Sequence, residues 1–258
     1  MIDKENIKKK FLEYVDNFEK SGRVDLKKEH ILRVADKSEV IAKSLNLSEE
    51  QIELAYLIGI CHDIGRFEQI KRFDTFSDKL TGMNHAEWSN KVLFEDGLIN
   101  EFINTDKYHN IIKTAVINHN KTQIEGDLSE EELLFSKIIR DADKLDILYV
   151  INIEELEDIF WYKEHNAKMI DKSIILDYYA KYLLDYSKIK NNLDQIVTFY
   201  NYIYDINFKI TLTLIKEGNY YETFNKRIKE VYNSKILNEQ LDNLLLSINN
   251  YIKFKENE

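Results

Sequence analysis

The stretch LIGICHDIGRFEQ, Leu57 to Gln69, sets two strong metal-ligand types, His62 and Asp63, side by side at the end of an apolar run. Such a pair either caps a helix or supplies half of a metal site. Four of the six histidines, with two aspartates, share a pattern that bears on the choice. His62 follows Ala55 and Ile58 at helical spacing, His119 follows Ile112, Ala115 and Val116 likewise, and Asp143 follows Ile139. His30 and His85 lie near expected helix starts. An ionised aspartate on an inward-facing stripe costs free energy unless something satisfies it. Divalent cations among neutral imidazoles and carboxylates are one solution. In the first turn of a helix the dipole disfavours a cationic His85 and so favours the neutral form that binds metal. Against this, a lone histidine on an apolar stripe is most simply a satisfied core residue. The His-Asp pair taken alone leaves both readings open.

The elements that would position these residues are helices. The chain of 258 residues contains no proline and only seven glycines, so both main helix breakers are scarce. Ile7, Phe11, Val15 and Phe18 predict a first helix. A second is expected over Lys27 to Leu45. Ser48 and Gln51 form a capping box that opens a third, running to His62, where Gly65 is expected to stop it. Residues 66–83 read as irregular. Asn84 with Glu87 starts a helix running to about Gly97, and another covers roughly Lys107 to His119. Ser129 with Glu132 caps one that carries Phe135, Ile139 and Asp143. From about 152 onward the pattern stays helical and turns tyrosine-rich. No linker, repeat or low-complexity tract divides the chain. The expected fold class is all-α, a single-domain helical bundle.

Composition narrows the function classes. With 44% apolar residues and 12% aromatics, the chain has ample material for a core. A net charge of −10 argues against binding a nucleic-acid polymer. No apolar stretch approaches the roughly 18–20 residues of a membrane span, and the N-terminus has no apolar leader region. A single cysteine, Cys61, excludes an internal disulfide and fits a cytoplasmic setting; it reads as a small buried hydrophobe. Gly-rich phosphate loops, CxxC pairs and serine-nucleophile elbows are missing from the sequence.

The order H…HD…D, read as His30, His62-Asp63 and Asp143, resembles the signature of the HD superfamily of metal-dependent phosphohydrolases. The flanking text is similar too, in the apolar run before CHDIG and in RDADKLDIL around Asp143. HDIGRFEQ…RF.TF.D…NHAEWS resembles a bacterial subgroup whose members mostly lack an assigned substrate. The likeness covers about residues 26–150 strongly, and 151–258 more loosely, as C-terminal helices expected to pack on the metal-site core. It implies one divalent ion on His30, His62, Asp63 and Asp143. In two-metal relatives two further histidines add a second ion that Asp63 bridges, and His85 and His119 stand where those would be. Some such relatives carry another histidine directly after the later one; here that position is Asn120, which leaves one ion or two open.

Histidine and carboxylate ligands suit Mn, Fe, Co, Ni or Zn better than Ca or Mg, with Mg retained as a candidate. The implied activity is hydrolysis of a small phosphate ester, a nucleotide or related metabolite, by metal-activated water. Arg66 and Lys144 are the expected phosphate-contacting cations beside Asp63. Arg72 is a further candidate in a loop over the substrate. Asp146 either orients a ligand histidine, relays a proton or lies on the helix surface. Phe67, Phe73 and Phe76 either stack on a base or pack on the core. His109 and His165 read as ordinary, and Trp88, Trp161, Tyr200 and Tyr204 as core or pocket wall. Two alternatives remain: a phosphodiesterase on a linear or cyclic dinucleotide, and a regulatory module that binds a metabolite in an idle site.

Overall fold

The structure is a computed structural model; it describes residues 2–159, 167–180 and 188–257. His165 and Trp161 lie outside the described residues. Those described form helices and no strand, the all-α class expected. Long-range contacts gather the chain into two compact units, Met1–Asp146 and Ile147–Glu258.

The first unit is built on a pair of helices, α2 (Gly22–Ser44) and α3 (Glu49–Cys61), that pack closely along their lengths. Ser21 caps α2, and the Ser48–Gln51 capping box opens α3. Nine residues of α3 are buried, from Ile52 to Cys61, so it is enclosed nearly all round. Gly59 permits the close approach: a Cβ there would stand 2.5 Å from Ala35 Cα. Helix α1 (Lys4–Val15) lays Ile7, Phe11 and Val15 against α3.

Residues 66–83 are not irregular. They contain α4 (Gly65–Phe73) and a single turn, α5 (Asp78–Thr81). Gly65 does not stop a helix; it begins one, with φ outside the left-handed region. Its lack of a side chain serves packing. A Cβ at Gly65 would lie 2.5 Å from Ser89 N and 2.7 Å from the His85 carbonyl oxygen in α6 (His85–Asn90). Helix α6 continues into a π-helical turn, Lys91–Glu95. After α7 (Ile99–Phe102) come α8 (His109–Asn118) and α9 (Glu130–Ile153), which runs across the boundary between the units. Ser129 and Glu132 satisfy each other's backbone at the start of α9, as their spacing predicts.

The second unit comprises α10 (Leu156–Ile159), α11 (Lys172–Tyr179), α12 (Asn192–Asn201), α13 (Lys209–Glu217), α14 (Tyr220–Tyr232) and α15 (Lys235–Glu256). Its core is aromatic: Tyr200, Tyr221, Phe199 and Phe224 are buried together, and Tyr221 donates to the Phe199 carbonyl. Arg227 and Asn152 tie the end of α9 to α14 through backbone carbonyls.

Candidate metal centre

Five helices of the first unit bring the six ligand-type residues together. His30 lies in the third turn of α2, because that helix starts before Lys27, and not near its start as the sequence pattern suggests. His62 follows α3 as its C-cap residue, and Asp63 stands in the turn before α4. His85 opens α6, capped by Asn84, and His119 follows α8. Asp143 sits in the interior of α9 and not at its end. All four histidines and Asp63 are buried, and Asp143 nearly so.

The side chains form two groups, His30–His62–Asp143 and Asp63–His85–His119, each with ligand atoms within 4.8 Å of one another. In the first, His30 Nε2 is 3.2 Å and His62 Nε2 3.8 Å from Asp143 Oδ1. In the second, His85 and His119 Nε2 lie 3.4 and 3.6 Å from Asp63 Oδ1. The other oxygen, Asp63 Oδ2, is 3.7 Å from both His30 and His62 Nε2. One carboxylate thus faces both groups.

Each of the four ligand-type histidines is anchored through Nδ1. His62 donates to the Gly59 carbonyl at 2.7 Å and His119 to the Val116 carbonyl at 2.6 Å. His30 donates to Asp146 Oδ2 at 2.7 Å and His85 to Asp78 Oδ2 at 2.5 Å. A carbonyl or ionised carboxylate only accepts, so the proton resides on Nδ1 and each Nε2 presents a lone pair inward. Buried His30 Nε2, His62 Nε2 and Asp63 Oδ1 have no hydrogen-bond partner. His85 and His119 Nε2 face each other at 3.1 Å. Two lone pairs at that distance repel. A cation held by both rings would relieve that repulsion. The residues present therefore fit a divalent cation in each group.

The electrostatics of His62 and His85 agree. Burial lowers His62 to about 3 and, with Arg66 nearby, His85 to about 4, so both stay neutral. For His30, burial and Lys27 pull downward, but the neighbouring Asp143 and Asp146 carboxylates outweigh them and raise its pKa. Desolvation pushes the Asp63 and Asp143 carboxyls up. Lys27 and the imidazoles at Asp63, and His30 and the other imidazoles at Asp143, outweigh it and hold both below the ordinary range.

The remaining candidates fall out as follows. Arg66 is nearly buried, with Nε 3.6 Å from Asp63 Oδ1 and NH1 bonded to Gln69, Asp78 and the Phe76 carbonyl. Lys144 is buried next to Asp143. Asp146 is not on a helix surface: it is fully buried and accepts from His30, Arg33 and Lys37. Arg72 does not lie in a loop; it belongs to α4, pairs with Glu68 and stacks over Trp88. Phe67 packs into the core against Phe11, Tyr14 and Phe18, while Phe73 is half exposed. His109 stacks edgewise on Phe94. Cys61 is fully buried, and burial pushes its thiol pKa up. Asn120 donates to Asn84 Oδ1 beside His85.

Three contributors have no place in the sequence reading. Lys27 Nζ donates to Asp63 Oδ2 at 2.7 Å; its position three residues before His30 is the signal that was available. Asp78 holds both His85 and Arg66. Arg140, fully buried, donates to the carbonyls of Asn118 and Lys121 and so braces the end of α8 that carries His119.

The family model for the HD domain matches residues 28–148. No curated protein and no solved structure gives a significant match to the chain. The matched segment runs from two residues before His30 to five after Asp143, so it contains both ligand groups. Proteins of the HD-domain family are generally hydrolases. No helix among the described residues is long and apolar enough to cross a membrane.

Proposed function

We propose that the chain hydrolyses a small phosphate ester, a nucleotide or related phosphorylated metabolite, at a centre of two divalent ions. The observation that carries this reading is Asp63, whose two oxygens face two separate groups of inward-directed ligands. His30, His62, Asp63 and Asp143 hold one ion; Asp63, His85 and His119 hold the other. When bound, such ions supply a water of lowered pKa and neutralise charge on the phosphoryl group. The protein's own residues orient the ester. Lys27, Arg66 and Lys144 provide the cations, in a site whose buried walls exclude bulk water. The subgroup reading rests on the segment from HDIGRFEQ to NHAEWS, which supplies Arg66, Asp78 and His85 to this centre.

The direct test compares wild type with Asp63→Ala for bound metal and for turnover of a generic phosphomonoester and a phosphodiester with Mn²⁺. Loss of both ions and a fall of more than about 100-fold in kcat/KM are expected. Wild-type turnover in the variant would overturn the mechanism. Wild type with no stoichiometric metal and no activity in any added ion would favour the idle regulatory module. The ratio of the two ester activities assigns mono- or diesterase character.

A further inference from the structure

The two ligand groups are anchored in parallel ways. Each contains one histidine tied to a main-chain carbonyl, His62 or His119, and one tied to a carboxylate, His30 or His85. The carboxylates differ in where they come from. Asp146 stands on α9, three residues after Asp143, and is fully buried under His30, Arg33 and Lys37. Asp78 stands on the one-turn helix α5, with its side chain one-third exposed. Its Oδ2 accepts a hydrogen bond from His85 Nδ1–H, while its Oδ1 accepts from Arg66 Nη1 at 2.8 Å and Gln69 Nε2 at 2.9 Å. Gln69 also donates to Thr81 Oγ1, and Arg66 to the Phe76 carbonyl, so the whole 76–83 segment is stitched to α4 through these three residues.

From this we infer that Asp78 is the positioning residue of the Asp63–His85–His119 group, making assembly of the second ion's site and seating of the 76–83 segment one event. This rests on the two-ion reading above and adds an asymmetry to it. The first group is braced by residues of long helices; the second depends on a short segment. Removing the Asp78 carboxylate frees the His85 ring to turn and to exchange tautomers, so Nε2 no longer has a fixed direction. His30, held by Asp146, is untouched.

The test titrates chelator-treated full-length protein with Mn²⁺ and Zn²⁺ in wild type, Asp78→Ala, Asp78→Asn, His85→Ala and the Asp78→Ala/His85→Ala double variant. Wild type should take up two ions. Asp78→Ala should weaken one binding step by about 10- to 100-fold and leave the other within twofold. In the His85→Ala background, Asp78→Ala should add no further loss, because its action passes through that ring. Long-range ¹⁵N spectra should show His85 as a single Nδ1–H tautomer in wild type and as a mixture in Asp78→Ala, which a purely structural role of α5 would not produce. Asp78→Asn, which keeps an acceptor and the size of the side chain, should fall between. Two unchanged binding steps in a folded Asp78→Ala variant overturn the inference while leaving the hydrolase reading intact. A wild-type protein that binds one ion, with no effect of Asp78→Ala, overturns it together with the two-ion assignment. Wild type that binds none removes the metal reading itself.

Discussion

At the scale of single residues, Lys27 shows what side-chain spacing hides. Its side chain is 13% exposed, and its ammonium donates to the carboxylate that faces both ligand groups. If the chain hydrolyses a phosphate ester as proposed, a cation so placed would meet the phosphoryl group. Lys27→Met keeps most of the apolar stem and removes the charge. A charge-assisted contact is worth about 1.5–3 kcal/mol, so KM for a phosphate ester should rise roughly tenfold or more. Bound metal should remain at the wild-type level. Steady-state kinetics with metal analysis checks this, and an unchanged KM would remove Lys27 from the phosphate site. The six ligand types were readable as chemistry because histidine and aspartate stand out on apolar stripes. Their partners were not. Lys27, Arg33, Lys37, Asp78 and Arg140 look like ordinary surface charges in sequence, and only a chain folded back over many residues shows that each faces a carboxylate, an imidazole or a row of carbonyls. Asp146 is the intermediate case: one helical turn after Asp143, it could face inward or outward on periodicity alone, and its complete burial decides the matter.

At the scale of elements, capping signals located three helix starts well, while the start of α2 and one helix end differ from the sequence pattern. Ser48–Gln51, Asn84 and Ser129–Glu132 announce caps by chemistry that involves neighbours only three residues away, and all appear. Gly65 was legible as a helix stop because glycine favours the left-handed cap position. Its actual role is a long-range one, the contact of α4 with the backbone of Ser89 and His85, and that partner lies some twenty residues on. For the same reason α4 and α5, within 66–83, carry no local signal of comparable strength. The contact makes a prediction. In Gly65→Ala the new methyl group meets backbone on α6, which cannot yield as a flexible side chain would. Overpacking of this kind costs about 1–3 kcal/mol. Because α6 begins with His85, the displacement should also weaken the ion held by Asp63, His85 and His119 more than the one held by His30, His62 and Asp143. Denaturant unfolding and metal titration measure the two effects. Wild-type stability with unaltered metal uptake would show that α4 and α6 separate without consequence.

At the scale of the whole molecule, composition announced an all-helical acidic chain, and the helices are there. The gathering of contacts into two units, with the boundary inside the continuous helix α9, has no counterpart in the sequence, where neither linker nor composition shift marks it. What the molecule does as a cooperative unit with pH follows from its buried histidines. His62 and His85 fall to about 3 and about 4 on folding, from an unfolded value near 6.5. Between pH 6.5 and 4 the unfolded chain therefore takes up two protons that the folded chain refuses, and stability falls as pH falls. His30 has the opposite sign. Its raised pKa contributes stability fully present below 6.5 and lost as pH rises through the folded value, so it adds no slope inside this window. The depressed carboxylates, Asp63, Asp143 and Asp146, act lower still, their contribution being lost only as pH drops below about 3.9. His62 and His85 thus carry a decline between pH 6.5 and 5, each at up to about 1.4 kcal/mol per pH unit. Chelator-treated protein should show its highest denaturant midpoint near neutrality and a steep decline from pH 6.5 to 5. His85→Gln, which removes one of the two titrating groups, should roughly halve that slope. A midpoint that stays level across the interval would mean that these rings take up protons in the folded protein as readily as in water, and hence that the enclosure on which metal binding depends is not tight.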